Sequence, residues 1–425
     1  MIDRIYVKCN YCKTNILLRF QLGEFDIPFS FNCPNCNVNI NGIRRIVLNN
    51  FIELNNAIQV EETEPEYYED LAVELPHRKI QKYVSFETMY SNGISPFMDI
   101  MRLFQDPQDY IDIMKSIGNF MSFRVNDWNL LKSLYDLYFV NRIDLIKEQI
   151  TKFSSHYIVD NKLDAAMALH QISIVGLNKI LDKNSLEEFM KYSNIIMGKE
   201  NINEVKRFVK FLKKNMDFDF ELKRVVKIYS RWIEDFEKYI PIVTVSLGEL
   251  REKFNKENYG IATISLESMI NFYKDTYELL LDMVTIAVGL NNIFTRGKYD
   301  SFSDKIDILN FDKYNSLIKS QRLKALIQEE PFSKCIVMNR NVRNAIAHYT
   351  YDFDSCTQKI FFYDKHKDKE SIVELYLCDL AILCYDNIKI LAYLNELFYS
   401  LRKIDFIESG MIPNIRFWGV MKTRK

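Results

Sequence analysis

Four cysteines near the N-terminus constrain the fold of this chain more than any other feature of its sequence. They form two C-x2-C pairs, Cys9 with Cys12 and Cys33 with Cys36, and twenty residues separate the pairs. Each pair is suited to a tight turn that directs two thiolates toward one point. Short runs rich in β-branched and aromatic residues surround the pairs at residues 5–8, 15–22, 27–31 and 43–48, and they predict strands. The pattern predicts a small β module over residues 1–50 that folds around one metal ion.

The spacing is typical of a zinc ribbon, in which four thiolates complete the tetrahedron that Zn²⁺ prefers. No coordination position is left open, so we predict a structural Zn²⁺ held by Cys9, Cys12, Cys33 and Cys36. A module of this size lacks a core of its own, so metal binding would supply its folding energy. The remaining cysteines are scattered through helical sequence, which argues against a disulfide framework; they are Cys335, Cys356, Cys378 and Cys384.

Beyond the cysteines, the composition predicts a mainly α protein. The 425 residues include only 12 Gly and 9 Pro, and 48% are hydrophobic, which favours long helices over a sandwich or barrel. Residues 61–74 are acidic, so we predict a linker or irregular segment at 51–95. Apolar residues recur at helical spacing from residue 96 onward. They predict a central helical domain at 96–260 and a C-terminal bundle at 261–425, with a β-hairpin inserted near residues 357–377.

The same spacing predicts individual helices within these domains. One lies at Trp128–Phe139 and another at Lys313–Glu329. The helix after that begins at Pro331, because proline suits the first turn of a helix. In the inserted hairpin, the charged segment Asp364–Glu370 is predicted to form the turn.

No feature of the sequence predicts a membrane span or a secreted protein. The strongest apolar run, residues 279–290, is shorter than a span and contains Asp282. The start of the chain has no signal-peptide pattern, so we expect a cytoplasmic protein with no membrane partner. The formal net charge of −1 excludes a global basic signal for nucleic acid, and any such site must be a local patch.

One local patch of this kind lies in residues 205–232, where basic and aromatic residues alternate. Its first part supplies the candidate RNA-binding residues Lys206, Arg207, Lys210, Lys213 and Lys214. Basic side chains can follow an RNA backbone while exposed rings stack on bases. The alternative is a pair of amphipathic helices with solvated lysines outside and an aromatic core inside, and the rings do fall at core spacing.

A second candidate site lies near the C-terminus, where residues 341–349 read Asn-Val-Arg-Asn-Ala-Ile-Ala-His-Tyr. Arg343 is a fixed cation, and four residues separate it from His348, which titrates near neutrality. A histidine can move the proton of an RNA 2′-OH, and a guanidinium can hold the phosphate in bidentate fashion. Asn344 and His348 are an i, i+4 pair on one helical face. The alternative is a structural helix whose arginine and asparagine bind nearby carboxylates or carbonyls, with a buried, satisfied histidine.

The segment Arg343-Asn344-Ala345-Ile346-Ala347-His348 resembles the R-N-x-x-x-H signature of HEPN domains, and the resemblance covers roughly residues 262–402. It implies an all-helical bundle and a metal-independent endoribonuclease in which Arg343 and His348 are catalytic and Asn344 supports them. It also implies a homodimer in which two motifs face one cleft. Some members carry a tyrosine two residues after the histidine, but Thr350 occupies that position here.

Two further residues are candidates for a supporting role in this site. Tyr349 lies beside the motif histidine, although no family role carries over to it. Asp282 is the polar residue of an apolar helical run. One hypothesis is that it orients His348 from the bundle, since a buried carboxylate needs a cation or donors; the alternative is an exposed position on an amphipathic helix.

We therefore expect a hydrolase that cleaves RNA, either tRNA or mRNA, by 2′-OH transesterification without a catalytic metal. The resemblance places such nucleases in bacterial anti-phage defence, including abortive infection, or among toxins. The alternative is a catalytically inactive HEPN-like scaffold for binding or dimerisation, with a zinc ribbon that recruits protein or nucleic acid. A weaker third hypothesis is a transcription-linked adaptor that binds DNA through the ribbon.

Overall fold

A computed structural model describes residues 1–46, 51–91, 93, 95, 97–336, 339–366 and 369–414. The architecture is mainly α with small β-sheets, as the sequence predicts. The chain divides into two compact units, each built from three segments. The first unit comprises Met1–Ile117, Asp235–Lys274 and Asn339–Asp386, and the second comprises Gly118–Glu234, Asp275–Met338 and Asn387–Lys425. These units differ from the four consecutive ranges expected from composition.

The elements are numbered in chain order. The strands are β1 Ile2–Cys9, β2 Asn15–Gln21, β3 Ile27–Asn32, β4 Asn39–Arg44, β5 Ile52–Asn55, β6 Ala57–Val60, β7 Tyr67–Leu71, β8 His77–Arg78, β9 Gln81–Lys82, β10 Tyr259–Gly260, β11 Tyr351–Asp354, β12 Lys359–His366 and β13 Lys369–Tyr376. The helices are α1 Phe86–Ser91, α2 Met98–Met101, α3 Pro107–Asn126, α4 Trp128–Phe139, α5 Ile143–Gln149, α6 Lys162–Leu177, α7 Lys183–Ile196, α8 Ile202–Asn215, α9 Phe218–Glu234, α10 Phe236–Leu247, α11 Leu266–Arg296, α12 Phe311–Ser316, α13 Arg340–His348 and α14 Leu377–Glu408.

The described strands all belong to the first unit. Its largest sheet has the order β6-β1-β2-β7-β9, in which β2 and β7 are parallel and the other neighbours are antiparallel. A second sheet has the order β3-β4-β5, and a third has the order β11-β12-β13. Strands β1 and β2 bury Val7, Ile16 and Leu18 completely. The N-terminal strands therefore share a hydrophobic core with their neighbours, so metal binding is not the only source of their folding energy.

The described part of residues 51–95 contains strands β5 to β9 and helix α1, where the acidic composition suggested a linker or irregular segment. Strand β7 pairs in parallel with β2, and Glu69 and Asp70 on β7 are almost fully buried. The Arg19 guanidinium lies 3.3 Å from the Asp70 carboxylate, and burial nevertheless raises the pKa of Asp70 to about 6. Composition alone did not predict this strand, because the carboxyl groups are buried through the pairing of β7 with β2, about fifty residues earlier in the chain.

The second unit is helical in its described part, and an aromatic cluster occupies its interior. Phe208 on α8 lies 5.5 Å from Tyr299 and 5.8 Å from Phe311, measured between ring centroids. A Cβ atom added at Gly289 would lie 2.1 Å from the Phe208 ring, so α11 needs a glycine where this ring crosses it. Of the aromatic residues in 205–232, Phe208, Tyr229 and Trp232 are core residues, whereas Phe211 and Phe218 are half-buried and Phe220 is exposed.

A buried polar network in the same unit joins the C-terminal end of α11 to the segment that follows it. The Glu330 carboxylate accepts hydrogen bonds from Arg296 Nη1 and Asn291 Nδ2, both at 2.5 Å. The Ile327 amide also donates to it, at 3.2 Å. These contacts hold the segment 297–330, which forms only the short helix α12 and a 3-10 turn at Lys319–Ala325. The helix that the sequence predicts at 313–329 is therefore much shorter than expected.

Helix α11 has the length and composition to span a membrane, and it is the one described helix with both properties. Of its most apolar 18-residue window, 78% is buried inside the structure. The core helices of globular proteins share these properties.

Candidate functional site

The four N-terminal cysteines converge as predicted. Their Sγ atoms all lie within 4.8 Å of one another, and no other group of three or more His, Cys, Asp or Glu side chains in the described part of the chain forms such a cluster. Cys9 Sγ lies 3.6 Å from Cys36 Sγ, and Cys12 Sγ lies 3.5 Å from Cys33 Sγ. Metal–thiolate distances of about 2.3 Å in a tetrahedron place sulfurs roughly 3.8 Å apart. The four-cysteine cluster therefore fits one tetrahedral ion.

Two matching turns build this cluster. The first connects β1 to β2, and the Lys13 amide donates to the Cys9 carbonyl at 3.1 Å. The second connects β3 to β4, and the Asn37 amide donates to the Cys33 carbonyl at 2.8 Å. Lys13 and Asn37 both have left-handed backbones, with φ of 66° and 60°. The same turn thus occurs twice, and each copy presents one cysteine pair to the shared centre.

The electrostatics of the cluster also favour a cation. Burial raises the pKa of Cys33 to about 12. At Cys12, burial acts in the same direction, but hydrogen bonds with Thr14 outweigh it and lower the pKa to about 6. Four adjacent thiols cannot all ionise together without a positive charge between them. The donor set and its geometry therefore match a thiolate-bound metal ion.

The R-N-x-x-x-H residues lie on α13, a shorter helix than the sequence suggested. The predicted start was Pro331, whereas the helix begins at Arg340 because the Asn339 side chain accepts a hydrogen bond from the Val342 amide at 3.1 Å. The Tyr273 hydroxyl donates to the Asn339 carbonyl at 3.0 Å and fixes this end further. Residues 337 and 338 lie outside the described part.

The structure connects the motif asparagine to its neighbours on both sides. Arg343 Nη1 donates to Asn344 Oδ1 at 3.3 Å, and Asn344 Nδ2 donates to Asp364 Oδ2 at 3.2 Å. Asp364 lies on β12, the strand against which α13 packs. Sequence analysis assigned Asp364 only to a charged turn. Its position two and four residues beyond the buried Phe362 and Ile360 is the alternating pattern that could have placed it on the helix-facing side.

His348 ends the helix and is exposed, which differs from the buried histidine of the structural alternative. The contact of Asn344 with the Asp364 carboxylate is of the kind that this alternative expects. Within the described residues, no hydrogen bond joins its ring to Arg343 or Asn344. Arg343 and Asn344 are both half-buried. Tyr349, the candidate supporting residue beside His348, is 82% exposed. The motif thus presents its imidazole to solvent at the end of α13, and the guanidinium and amide on the same helix are hydrogen-bonded to each other.

Asp282 belongs to a charge cluster of the second unit. Its carboxylate lies 2.9 Å from Arg224 Nη1 and 2.6 Å from Lys319 Nζ. Two cations on its own unit therefore compensate this carboxylate, which accounts for a charged residue in an apolar helical run. The expected role of Asp282 as a support for His348 gains no support from these contacts.

The candidate RNA-binding residues lie on α8, and three of the five have carboxylate partners. Lys206 Nζ lies 2.8 Å from Glu408, Lys213 Nζ lies 2.8 Å from Asp405, and Arg207 pairs with Glu204 one helical turn earlier. Lys210 and Lys214 are exposed. The packing of α8 thus matches the alternative of an amphipathic helix. The ion pairs also reduce the positive charge that α8 could offer to an RNA phosphate backbone.

We compared the chain with protein-family models, with curated protein sequences and with solved structures, and none of the three comparisons finds a match.

Proposed function

We propose that the protein is an endoribonuclease whose reactive groups are His348 and Arg343. The observation that carries this proposal is the arrangement at the end of α13. There, an exposed imidazole follows a guanidinium that is bonded to Asn344, which Asp364 anchors in turn. This chain of contacts orients the Arg343 guanidinium and the Asn344 amide, and it leaves the histidine accessible. The resemblance to HEPN domains supports the same assignment.

The proposed reaction needs one proton acceptor and one cation near the scissile phosphate. Neutral His348 accepts the proton of the 2′-OH, and the 2′-oxygen then attacks phosphorus. The bond between phosphorus and the 5′-oxygen breaks, and an imidazolium donates a proton to the leaving oxygen. Arg343 stabilises the charge that develops on the phosphoryl oxygens. The products carry a 2′,3′-cyclic phosphate and a 5′-hydroxyl.

We further propose that the protein acts as a homodimer through its C-terminal bundle. A single imidazole cannot be base and acid at the same moment, and a second copy would supply the other one. In this proposal the RNA is tRNA or mRNA in the cytoplasm, and its destruction serves antiviral defence or a toxin system.

The metal ion in this proposal is structural. Cys9, Cys12, Cys33 and Cys36 would hold Zn²⁺, and the bound ion would supply a rigid cross-link between two β-hairpins. The proposed RNA chemistry runs only through side chains of α13 and does not involve this ion.

The second candidate function is a binding or dimerisation scaffold without catalysis. It is favoured by the ion pairs of Lys206, Arg207 and Lys213, because an RNA-binding surface on α8 would have to break them. The four-cysteine cluster would then recruit a protein or a nucleic acid.

The experiment that separates these functions is RNA cleavage by the purified full-length protein in the presence of EDTA. The variants Arg343→Ala and His348→Ala should lose activity, while His156→Ala and Arg102→Ala should keep it. The two controls also remove an exposed histidine and an exposed arginine, but neither lies on α13. Equal cleavage by all five proteins would refute the assignment, and no cleavage by any of them would favour the scaffold.

A further inference from the structure

Tyr349 has a backbone conformation that is unusual for its residue type. It ends α13 in the left-handed region, with φ of 56° and ψ of 33°. A glycine or an asparagine normally occupies this position after a helix, because a bulky side chain on a left-handed residue is strained. Seven described non-glycine residues have a positive φ, and Tyr349 is the one aromatic residue among them. The chain therefore keeps a large ring where folding alone favours glycine.

Packing does not account for this ring, because Tyr349 is 82% exposed. The backbone around it is nevertheless well held. The Thr350 amide donates to the Ala345 carbonyl at 2.9 Å, and the Thr350 hydroxyl donates to the Tyr363 carbonyl at 2.6 Å. The fold thus imposes the left-handed conformation and fixes the direction in which the ring leaves the surface. Strain that persists in an exposed, fixed position is typical of functional sites.

We propose that Tyr349 is a positioning residue that stacks on an unpaired base of RNA bound at His348. The inference rests on the proposed function, because that function places the RNA phosphate at His348, the residue next to Tyr349. His348 and Tyr349 are consecutive, so their Cα atoms are about 3.8 Å apart. A nucleotide whose phosphate lies at His348 is therefore within reach of the Tyr349 ring. An aromatic side chain can stack on a base of any type, but only when that base is not stacked on its neighbours in a duplex. The substrate class is therefore RNA that is single-stranded at the cleavage position.

Equilibrium binding tests this inference without turnover. The probe is a 12-nucleotide single-stranded RNA of mixed sequence, with 2-aminopurine at its centre and a 2′-O-methyl group on every sugar, so that no 2′-hydroxyl can attack. The full-length wild-type protein serves as the background for Tyr349→Gly, Tyr349→Phe and Glu249→Gly. Glu249 is a matched control, because it is exposed and has a left-handed φ of 54° just after α10. The Leu250 amide there donates to the Val245 carbonyl at 2.8 Å, as Thr350 does to Ala345.

We expect Tyr349→Gly to weaken binding roughly 5- to 150-fold and to abolish the quenching of 2-aminopurine. Tyr349→Phe should retain both affinity and quenching, because its ring still stacks. Glu249→Gly should bind as the background does. Tyr349→Gly should also melt at a temperature no lower than the background, because glycine relieves the left-handed strain.

Three outcomes would overturn the inference. The first is that Tyr349→Gly binds the probe as tightly as Glu249→Gly does. The second is that Tyr349→Gly quenches 2-aminopurine as the background does. The third is that Tyr349→Gly melts at a lower temperature than the background, which would mean that the ring supports the fold. Absence of RNA binding by the background protein would overturn it as well. Cleavage assays of the wild type separate this result from the proposed function: Tyr349-dependent stacking without cleavage refutes only the nuclease, and cleavage without such stacking refutes only the role of Tyr349.

Discussion

Removing the proposed Zn²⁺ from the four-cysteine cluster should disorder its two turns while the strands behind them stay folded. The turns are residues 9–14 and 33–38, and each contains one cysteine pair and one strained left-handed residue. The strands behind them are anchored independently, since Val7 and Leu18 are completely buried. We therefore expect a local loss of structure on demetallation, rather than unfolding of the first unit.

The magnitude follows from the contacts of the turns. Ordering the backbone of these twelve residues costs about 12 kcal/mol at roughly 1 kcal/mol per residue. Two backbone hydrogen bonds close each turn, and the four together return about 4 kcal/mol. The remaining deficit of about 8 kcal/mol is smaller than the roughly 10–16 kcal/mol that a structural Zn²⁺ site supplies. The turns should therefore be ordered with the metal and disordered without it.

Metal analysis and hydrogen exchange measure both parts of this prediction. The purified chain should contain about one zinc per molecule, and Cys33→Ser should contain little. Cys356→Ser is the matched control, because Cys356 is exposed and lies outside the cluster. Strong chelation should increase exchange at 9–14 and 33–38 but not at residues 2–8 of β1 or within β2. Two results would refute this reasoning. One is that the turns stay protected from exchange after the metal is removed. The other is that the wild-type protein is purified without metal and is no more stable than Cys33→Ser.

Three further predictions concern other contacts. Asp364→Ala should lower RNA cleavage about 10- to 100-fold with little change in stability, because Asn344 loses its anchor. Glu330→Ala should destabilise the protein by about 3 kcal/mol, because it leaves a half-buried Arg296 guanidinium unpaired, whereas Glu329→Ala removes an exposed pair and should change nothing measurable. His77 is fully buried, and burial lowers its pKa to about 4. The unfolded chain therefore binds the extra proton between pH 6.5 and 4, so the contribution of His77 to stability should fall by about 2 kcal/mol from pH 7 to pH 5. Buried Asp70, whose pKa is raised to about 6, contributes in the opposite direction over the same range, so the contribution of His77 is read from the difference between wild type and a His77 variant.

Cleavage kinetics, urea unfolding and unfolding at several pH values check these predictions. Unchanged activity of Asp364→Ala would show that the Asn344 contact has no role in catalysis. Equal unfolding midpoints for the Glu330 and Glu329 variants would contradict the buried network. A His77→Gln variant cannot take up the proton, so its stability should fall less toward pH 5; the same pH dependence in both proteins would contradict the assigned burial effect.

The sequence predicts those parts of the structure whose signals are local. The cysteine spacing identified the cluster, and strand alternation located β1, β2 and β3 to within a few residues. Helical periodicity predicted α4 at Trp128–Phe139 with its observed bounds. These segments carry their information within one turn or one helix face, so neighbouring residues are sufficient to recognise them.

The parts that could not be predicted depend on distant partners. Strand β7 exists because β2 pairs with it, and its carboxyl groups are buried through that pairing. The start of α13 depends on a single asparagine, Asn339, in a chain that is rich in asparagine. The contact between Asn344 and Asp364 spans twenty residues and requires α13 to fold back on β12. Composition and spacing do not encode such contacts in an isolated segment.

The central claim is that His348 moves the proton of an RNA 2′-hydroxyl. The most direct test is to incubate the protein in EDTA with a single-stranded RNA and with the same RNA carrying one 2′-deoxy sugar at the mapped cleavage position. The account predicts 2′,3′-cyclic phosphate ends from the first RNA, no cleavage at the modified position of the second, and no product from His348→Ala. Cleavage at the deoxy position, or cyclic phosphate products from His348→Ala at the wild-type rate, would contradict it.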